Sequence, residues 1–195
     1  MELSRADIIN AFIRKCNYSS YLEIGVESGY NLAQIKSADQ TGVDPDVNTK
    51  ATIHQTSDEF FATNKRKFDL IFIDGLHEAW QVEKDIDNAL KFLEQGGTIV
   101  MHDCLPPDED TAAVPRIQNQ WTGDVYKAFL KFRSKRKDLE MFTVDTDFGC
   151  GVIRLGKQET ISLPNNISWN DFVSNKEKWM NVKSCEQFLN YIETL

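Results

Sequence analysis

Short apolar runs alternate with longer amphipathic stretches along most of the chain. Tyr21-Leu22-Glu23-Ile24, Gly42-Val43, Thr52-Ile53, Phe68 to Ile73, and Thr98-Ile99-Val100-Met101 are each bounded by polar or turn-forming residues. Runs of this length predict strands, and the fourth and fifth are so continuously apolar that both faces must be covered. Ser4 precedes apolar positions Ile8, Ile9, Phe12 and Ile13 at helical spacing, which predicts a capped helix over residues 4–15. Ala79, Val82, Ile86, Ala89, Leu90 and Leu93 mark one face of a second helix, closed by Gly96-Gly97. Strands alternating with helices predict an α/β domain with a parallel sheet and crossover helices on both faces.

Beyond the fifth run, residues 105–123 are rich in Pro, Asp, Thr and Gln and predict a long loop of the kind that carries function. A helical stripe follows at Val125, Phe129 and Phe132. Met141 to Val144 and Cys150 to Leu155, joined by Asp145-Thr146-Asp147-Phe148-Gly149, predict a hairpin. Asp145, Asp147 and Arg154 are expected as solvated charges flanking it. The apolar positions from Trp169 to Ile192 predict a helical extension over 165–195, so the chain divides into an N-terminal helix, a core over 20–156 and this extension, all in one domain.

Length and composition agree with that division, since 195 residues at 41% hydrophobic content can bury one substantial core. Charge narrows the partners: 22 Lys plus Arg against 30 Asp plus Glu leave a net charge of -8, unfavourable for a nucleic-acid backbone. No apolar run is long enough to span a bilayer and the first residues lack a signal-peptide plan, so a cytoplasmic protein with no membrane partner is expected. The four cysteines are scattered and predict reduced thiols. Nothing here separates a monomer from a homodimer.

Chemistry concentrates at strand ends. Glu23-Ile24-Gly25-Val26-Glu27-Ser28-Gly29 is a glycine turn at the end of the first strand, where open α/β sheets seat ligands. About 20 residues later Asp44 ends the second strand, at the separation suited to ribose hydroxyls. A nicotinamide dinucleotide is the first rival ligand, yet its Gly-x-Gly-x-x-Gly fingerprint is not matched.

Glu-x-Gly-x-x-x-Gly, Asp44, Phe68 to Gly75 and Leu93 to Val100 together resemble class I S-adenosylmethionine-dependent methyltransferases. Ile73-Asp74-Gly75-Leu76-His77 with Met101-His102-Asp103 is similar to their bacterial small-molecule O-methyltransferase branch. The resemblance implies a Rossmann-like, seven-stranded, mostly parallel sheet with an antiparallel last strand, in agreement with the hairpin, and S-adenosylmethionine as cofactor, with Gly25 and Gly29 facing its methionine part, Glu23 and Asp74 near its positive charges, and Asp44 on the ribose. Ser57 and Asp58 would reach the adenine, or else Thr56 and Ser57 simply start a helix with a capping box. His77 and His102, beside Asp74 and Asp103, are the candidate catalytic bases, with Asp103 in the same group. Asp74, His77 and Asp103 also suit a divalent metal by donor type, although Asp103-Cys104 stands where catechol-type relatives carry Asp-Asn. Trp121 and Tyr126 either stack on an acceptor or close the core. The expected activity is O-methylation of a small polar acceptor, a saccharide or natural product. A catalytically silent binding module and a NAD-type oxidoreductase are the alternatives.

Overall fold

A computed structural model describes residues 2–195. The strands are β1 (Ser20–Ile24), β2 (Asp39–Val43), β3 (Phe68–Ile73), β4 (Leu93–Met101), β5 (Leu139–Val144), β6 (Cys150–Leu155) and β7 (Val182–Lys183). The helices are α1 (Arg5–Cys16), α2 (Ser57–Thr63), α3 (Ala79–Phe92), α4 (Val125–Lys135), α5 (Trp169–Trp179) and α6 (Cys185–Thr194). One sheet results, in the order β2-β1-β3-β4-β6-β5-β7. The first four strands in that order are parallel, β6 runs antiparallel to both β4 and β5, and β7 lies parallel to β5.

Strand alternation divides the core between two faces. Leu22 and Ile24, Ile71 and Ile73, and Ile99 and Met101 point into the layer formed with α2, α3, α4 and α5. Tyr21, Leu70, Phe72, Val100 and Val152 point the other way, onto α1 and α6. Ile8, Ile9 and Phe12 of α1 are wholly buried there, each contributing about 1.5–3 kcal/mol. Helices therefore cover both faces, as the apolar runs of β3 and β4 require.

Three details differ from the sequence pattern. Thr52-Ile53 pairs with β2 only through an isolated bridge, Val43 to Ile53, and the seventh strand is instead β7, within the stretch expected to be wholly helical. The antiparallel strand is β6, and it is followed in the chain by the parallel β7. Finally, α3 ends at Phe92, and Gly96-Gly97 fall within β4, where the pairing jumps from Phe68–Leu93 to Leu70–Thr98. Gly97 is needed there because a Cβ would press on the Asp69 carbonyl at 2.7 Å.

Candidate active site

The carboxyl ends of β1, β2, β3 and β4 open into a cleft of about 1260 Å³. One wall is the bend after β1. Gly25 has φ +86°, and a Cβ on it would collide with the Asp74 carbonyl, so glycine is what lets the ends of β1 and β3 lie this close. Gly29 also has a positive φ, but it does not line the cleft and backs onto Lys50 instead. Asp44 holds the bend in shape: its Oδ2 accepts the backbone N–H groups of Val26 and Glu27, both at 3.0 Å, and its Oδ1 accepts that of Asp46 at 2.9 Å.

Glu23 lies deeper than the sequence suggests, at 1% exposure. The Tyr21 hydroxyl and Asn31 Nδ2, the latter at 2.8 Å, both donate to its Oε2. Burial pushes its carboxyl up to about 7, against the two hydrogen bonds that favour the anion. On the opposite side, Thr56 caps α2 in a capping box with Glu59. Ser57 and Asp58 line the cleft all the same, tied by Gln81 Nε2 at 3.1 Å to each.

The floor is a cluster of charged groups. Asp74, leaving β3, meets His77 Nε2 at 3.4 Å and His102 Nδ1 at 3.5 Å. Asp103, leaving β4, meets His77 Nδ1 at 3.1 Å and His102 Nδ1 at 3.0 Å. His77 Nδ1 also lies 3.0 Å from the Trp121 carbonyl, and the His77 ring stacks on Trp121 with centroids 5.3 Å apart. His102 is nearly sealed, with Nε2 at 3.2 Å from Asp147 Oδ1. Burial alone would lower both imidazoles; the surrounding carboxylates reverse it, raising His77 above its ordinary value and His102 far above. Burial would likewise raise Asp74 and Asp147, yet the imidazoles and Arg5 hold both well below the usual carboxylate range.

Arg5 and Asp147 belong to this floor although the sequence does not mark them. Asp147 is expected at the surface of the hairpin turn; the structure corrects this, because the turn folds over the ends of β3 and β4. Arg5 binds Asp147 through Nε at 2.9 Å, Nη2 at 3.0 Å and its backbone N–H at 3.0 Å, and reaches Asp74 with Nη1 at 2.7 Å. The contact spans 142 residues, and no local pattern announces it. The two candidate aromatics separate: Trp121 lines the cleft, whereas Tyr126 is buried against Phe172 with ring centroids 4.2 Å apart.

For a divalent ion, the ligand atoms that converge within 4.8 Å come from Asp74, His102 and Asp103, which places His102 where His77 was expected. Donor type suits a metal, but occupancy does not. Asp74 already holds a guanidinium, and His102 is ringed by three carboxylates that favour its protonated form. An ion there would face two cationic groups, so these residues as arranged do not fit one.

The sequence from 22 to 104 matches the family model described as a methyltransferase domain. Among solved structures, the chain is similar to an S-adenosylhomocysteine-bound methyltransferase from Podospora anserina, with a TM-score of 0.60 and 15% identity over 80% of each chain. It is also similar to an O-methyltransferase from Streptomyces achromogenes involved in tomaymycin synthesis and bound to S-adenosylmethionine, with a TM-score of 0.56 and 12% identity over 78% of this chain and 81% of that one. An O-methyltransferase from Bacillus cereus in complex with S-adenosylhomocysteine gives a TM-score of 0.53 at 13% identity, covering 78% and 80%. No curated protein matches the chain. Among the described residues, no helix is long and apolar enough to cross a membrane.

Proposed function

We propose, on the premise of a methyltransferase domain in a class I fold, that the protein transfers the methyl group of S-adenosylmethionine to a hydroxyl of a small polar acceptor such as a saccharide or natural product. One observation carries the reading: a glycine bend, a carboxylate floor and an Asp-backed imidazole share a single cleft at the ends of β1, β3 and β4. Bound S-adenosylmethionine supplies an electrophilic methyl group on a positively charged sulfur.

The chain's own residues supply the remainder. The bend held by Asp44 offers backbone and space to the amino-acid part of the cofactor, and the carboxylates of the floor favour its positive charge. Ser57, Asp58 and Gln81 form a polar edge for the base. His77 is the better of the two candidate bases, because it lines the cleft with a 22% exposed side chain, whereas His102 is shut in at 4%. With its Nδ1 proton directed to Asp103 and the Trp121 carbonyl, His77 takes the acceptor's proton on Nε2 as the oxygen attacks, and the imidazolium so formed is held by Asp74, whose Oδ1 lies 3.4 Å from that nitrogen. His102 then acts as a fixed positive group among carboxylates. Trp121, stacked on His77, forms an apolar wall for the acceptor.

Thermal unfolding with added ligands tests the cofactor assignment. S-adenosylmethionine at about 100 times its dissociation constant is expected to stabilise the protein by about 2.7 kcal/mol, and NAD to have no effect. Stabilisation by NAD alone would sink the proposal. With extracts and methyl-labelled cofactor providing the acceptor, His77→Ala is expected to lower turnover about 100-fold with little change in cofactor affinity. A cofactor that binds while no extract ever yields a labelled product would favour a silent binding module.

A further inference from the structure

Arg5 is the first residue of α1, outside the stretch matched to the methyltransferase domain, yet its guanidinium stands on the floor of the cleft. Its position is fixed from several directions. Ser4 starts the helix with a capping box to Asp7, the Thr146 hydroxyl donates to the Leu3 carbonyl, and Asp147 grips Arg5 in a two-pronged pair plus the backbone N–H. The third prong, Nη1, lies on Asp74 at 2.7 Å. Such a forked, planar arrangement has the specificity of a built contact. The side chain keeps 27% of its surface exposed, so it borders the cleft as well as bracing it.

Asp74, Asp103 and His102 bring ligand atoms within 4.8 Å of one another, with Asp147 beside them on His102, and without Arg5 this anionic corner has a donor set that attracts a small divalent ion. A cation on a helix and a free ion compete for the same oxygens. We propose that Arg5 is the resident cation of this corner, excluding divalent metal from the cleft and supplying the positive charge beside Asp74 in its place. This inference rests on the methyltransferase reading only for its consequence, that the transfer chemistry runs without a metal; the charge arrangement is independent of it.

The test uses Mn²⁺ as probe, followed by titration calorimetry and by the loss of the free-ion electron paramagnetic resonance signal, on the full chain and on Arg5→Gln and Arg5→Lys. The parent protein and Arg5→Lys are expected to bind no Mn²⁺ up to about 1 mM, whereas Arg5→Gln takes up one ion at least about tenfold more tightly. Stoichiometric Mn²⁺ on the parent protein overturns the proposal, and so does its absence from all three proteins. Thermal stabilisation by S-adenosylmethionine, measured on each variant, reports that the cleft is intact. If the glutamine variant does not fold, Arg5→Met, which removes the charge and keeps the apolar stem, is compared with the parent for the same gain. Failure of the parent to respond to S-adenosylmethionine would count against the proposed function, while the Mn²⁺ result alone decides the role of Arg5.

Discussion

Asp85 on α3 is 1% exposed, and only one of its carboxylate oxygens is paired, with Gln81 Nε2 at 3.0 Å. Burial pushes its carboxyl up to about 6. Below the carboxylate's unfolded pKa of about 3.9 both states hold the proton, and between there and about 6 only the folded state does. Stability therefore falls as pH rises through that window and stays lower above it. Asp85→Asn removes the dependence: the variant is expected to exceed the parent by about 2 kcal/mol near pH 8 and to lose that advantage near pH 4, in urea unfolding at both. Parallel pH profiles for the two proteins would show that Asp85 is solvated in the folded state. The same residue scale explains what the sequence disclosed of the site. Gly25, Asp44, Asp74, His77, His102 and Asp103 lie at strand ends, and strand ends are visible as breaks in apolar runs. Arg5 and Asp147 lie in a helix start and a hairpin turn, where a charged residue is ordinary, so only the folded chain reveals their partnership.

Among the elements, α1 has the most consequence for the site, because its first turn carries Arg5. Ser4 accepts the Asp7 N–H at 3.2 Å, and Asp7 returns the contact to the Ser4 N–H at 2.9 Å. Ser4→Ala is expected to cost about 1 kcal/mol in chemical unfolding, with faster hydrogen exchange confined to residues 5–8. Unaltered exchange there would mean that Asp147 alone holds the helix start. The legibility of other elements followed their length. β3 and α3 could be placed because six patterned residues define each, and the end of β4 because residues 98–101 form an unbroken run closed by the polar His102 and Asp103. Thr52-Ile53 reads as a strand from two apolar residues but has too few backbone partners to extend beyond one bridge. Val182–Lys183 is hidden by the opposite effect, since two residues between helices give no alternation to detect, and β5 recruits them as an edge. The crossover from β1 to β2 likewise reduces to a single 3-10 turn, Leu32–Gln34, where a longer helix would be usual.

For the whole molecule, the net charge of -8 has a local counterpart, because the cleft is lined by Glu27, Asp44, Asp58, Asp74, Asp103 and Asp147. The field they create attracts cations over a distance set by salt. S-adenosylmethionine carries a net positive charge and S-adenosylhomocysteine does not. The association rate of the first is expected to fall several-fold between about 0.01 and 0.3 M salt while that of the second stays nearly constant, as stopped-flow fluorescence would record. Equal salt dependence for both would mean that Arg5 and the imidazoles cancel the field at the entrance. The loop from 105 to 123 contributes Arg116, Gln120, Trp121 and Thr122 to the cleft wall, and its far end is joined to the His77 backbone: Asp124 accepts the Ala79 N–H at 2.7 Å and donates its own to the His77 carbonyl at 3.2 Å, while Gly123 leaves no room for a side chain against that carbonyl. Moving the loop at this root would drag the imidazole out of line with Asp103. Under the proposed reaction, space for a bulkier acceptor therefore comes from the tip, around residues 114–120, where a change leaves the contact of His77 with Asp103 undisturbed.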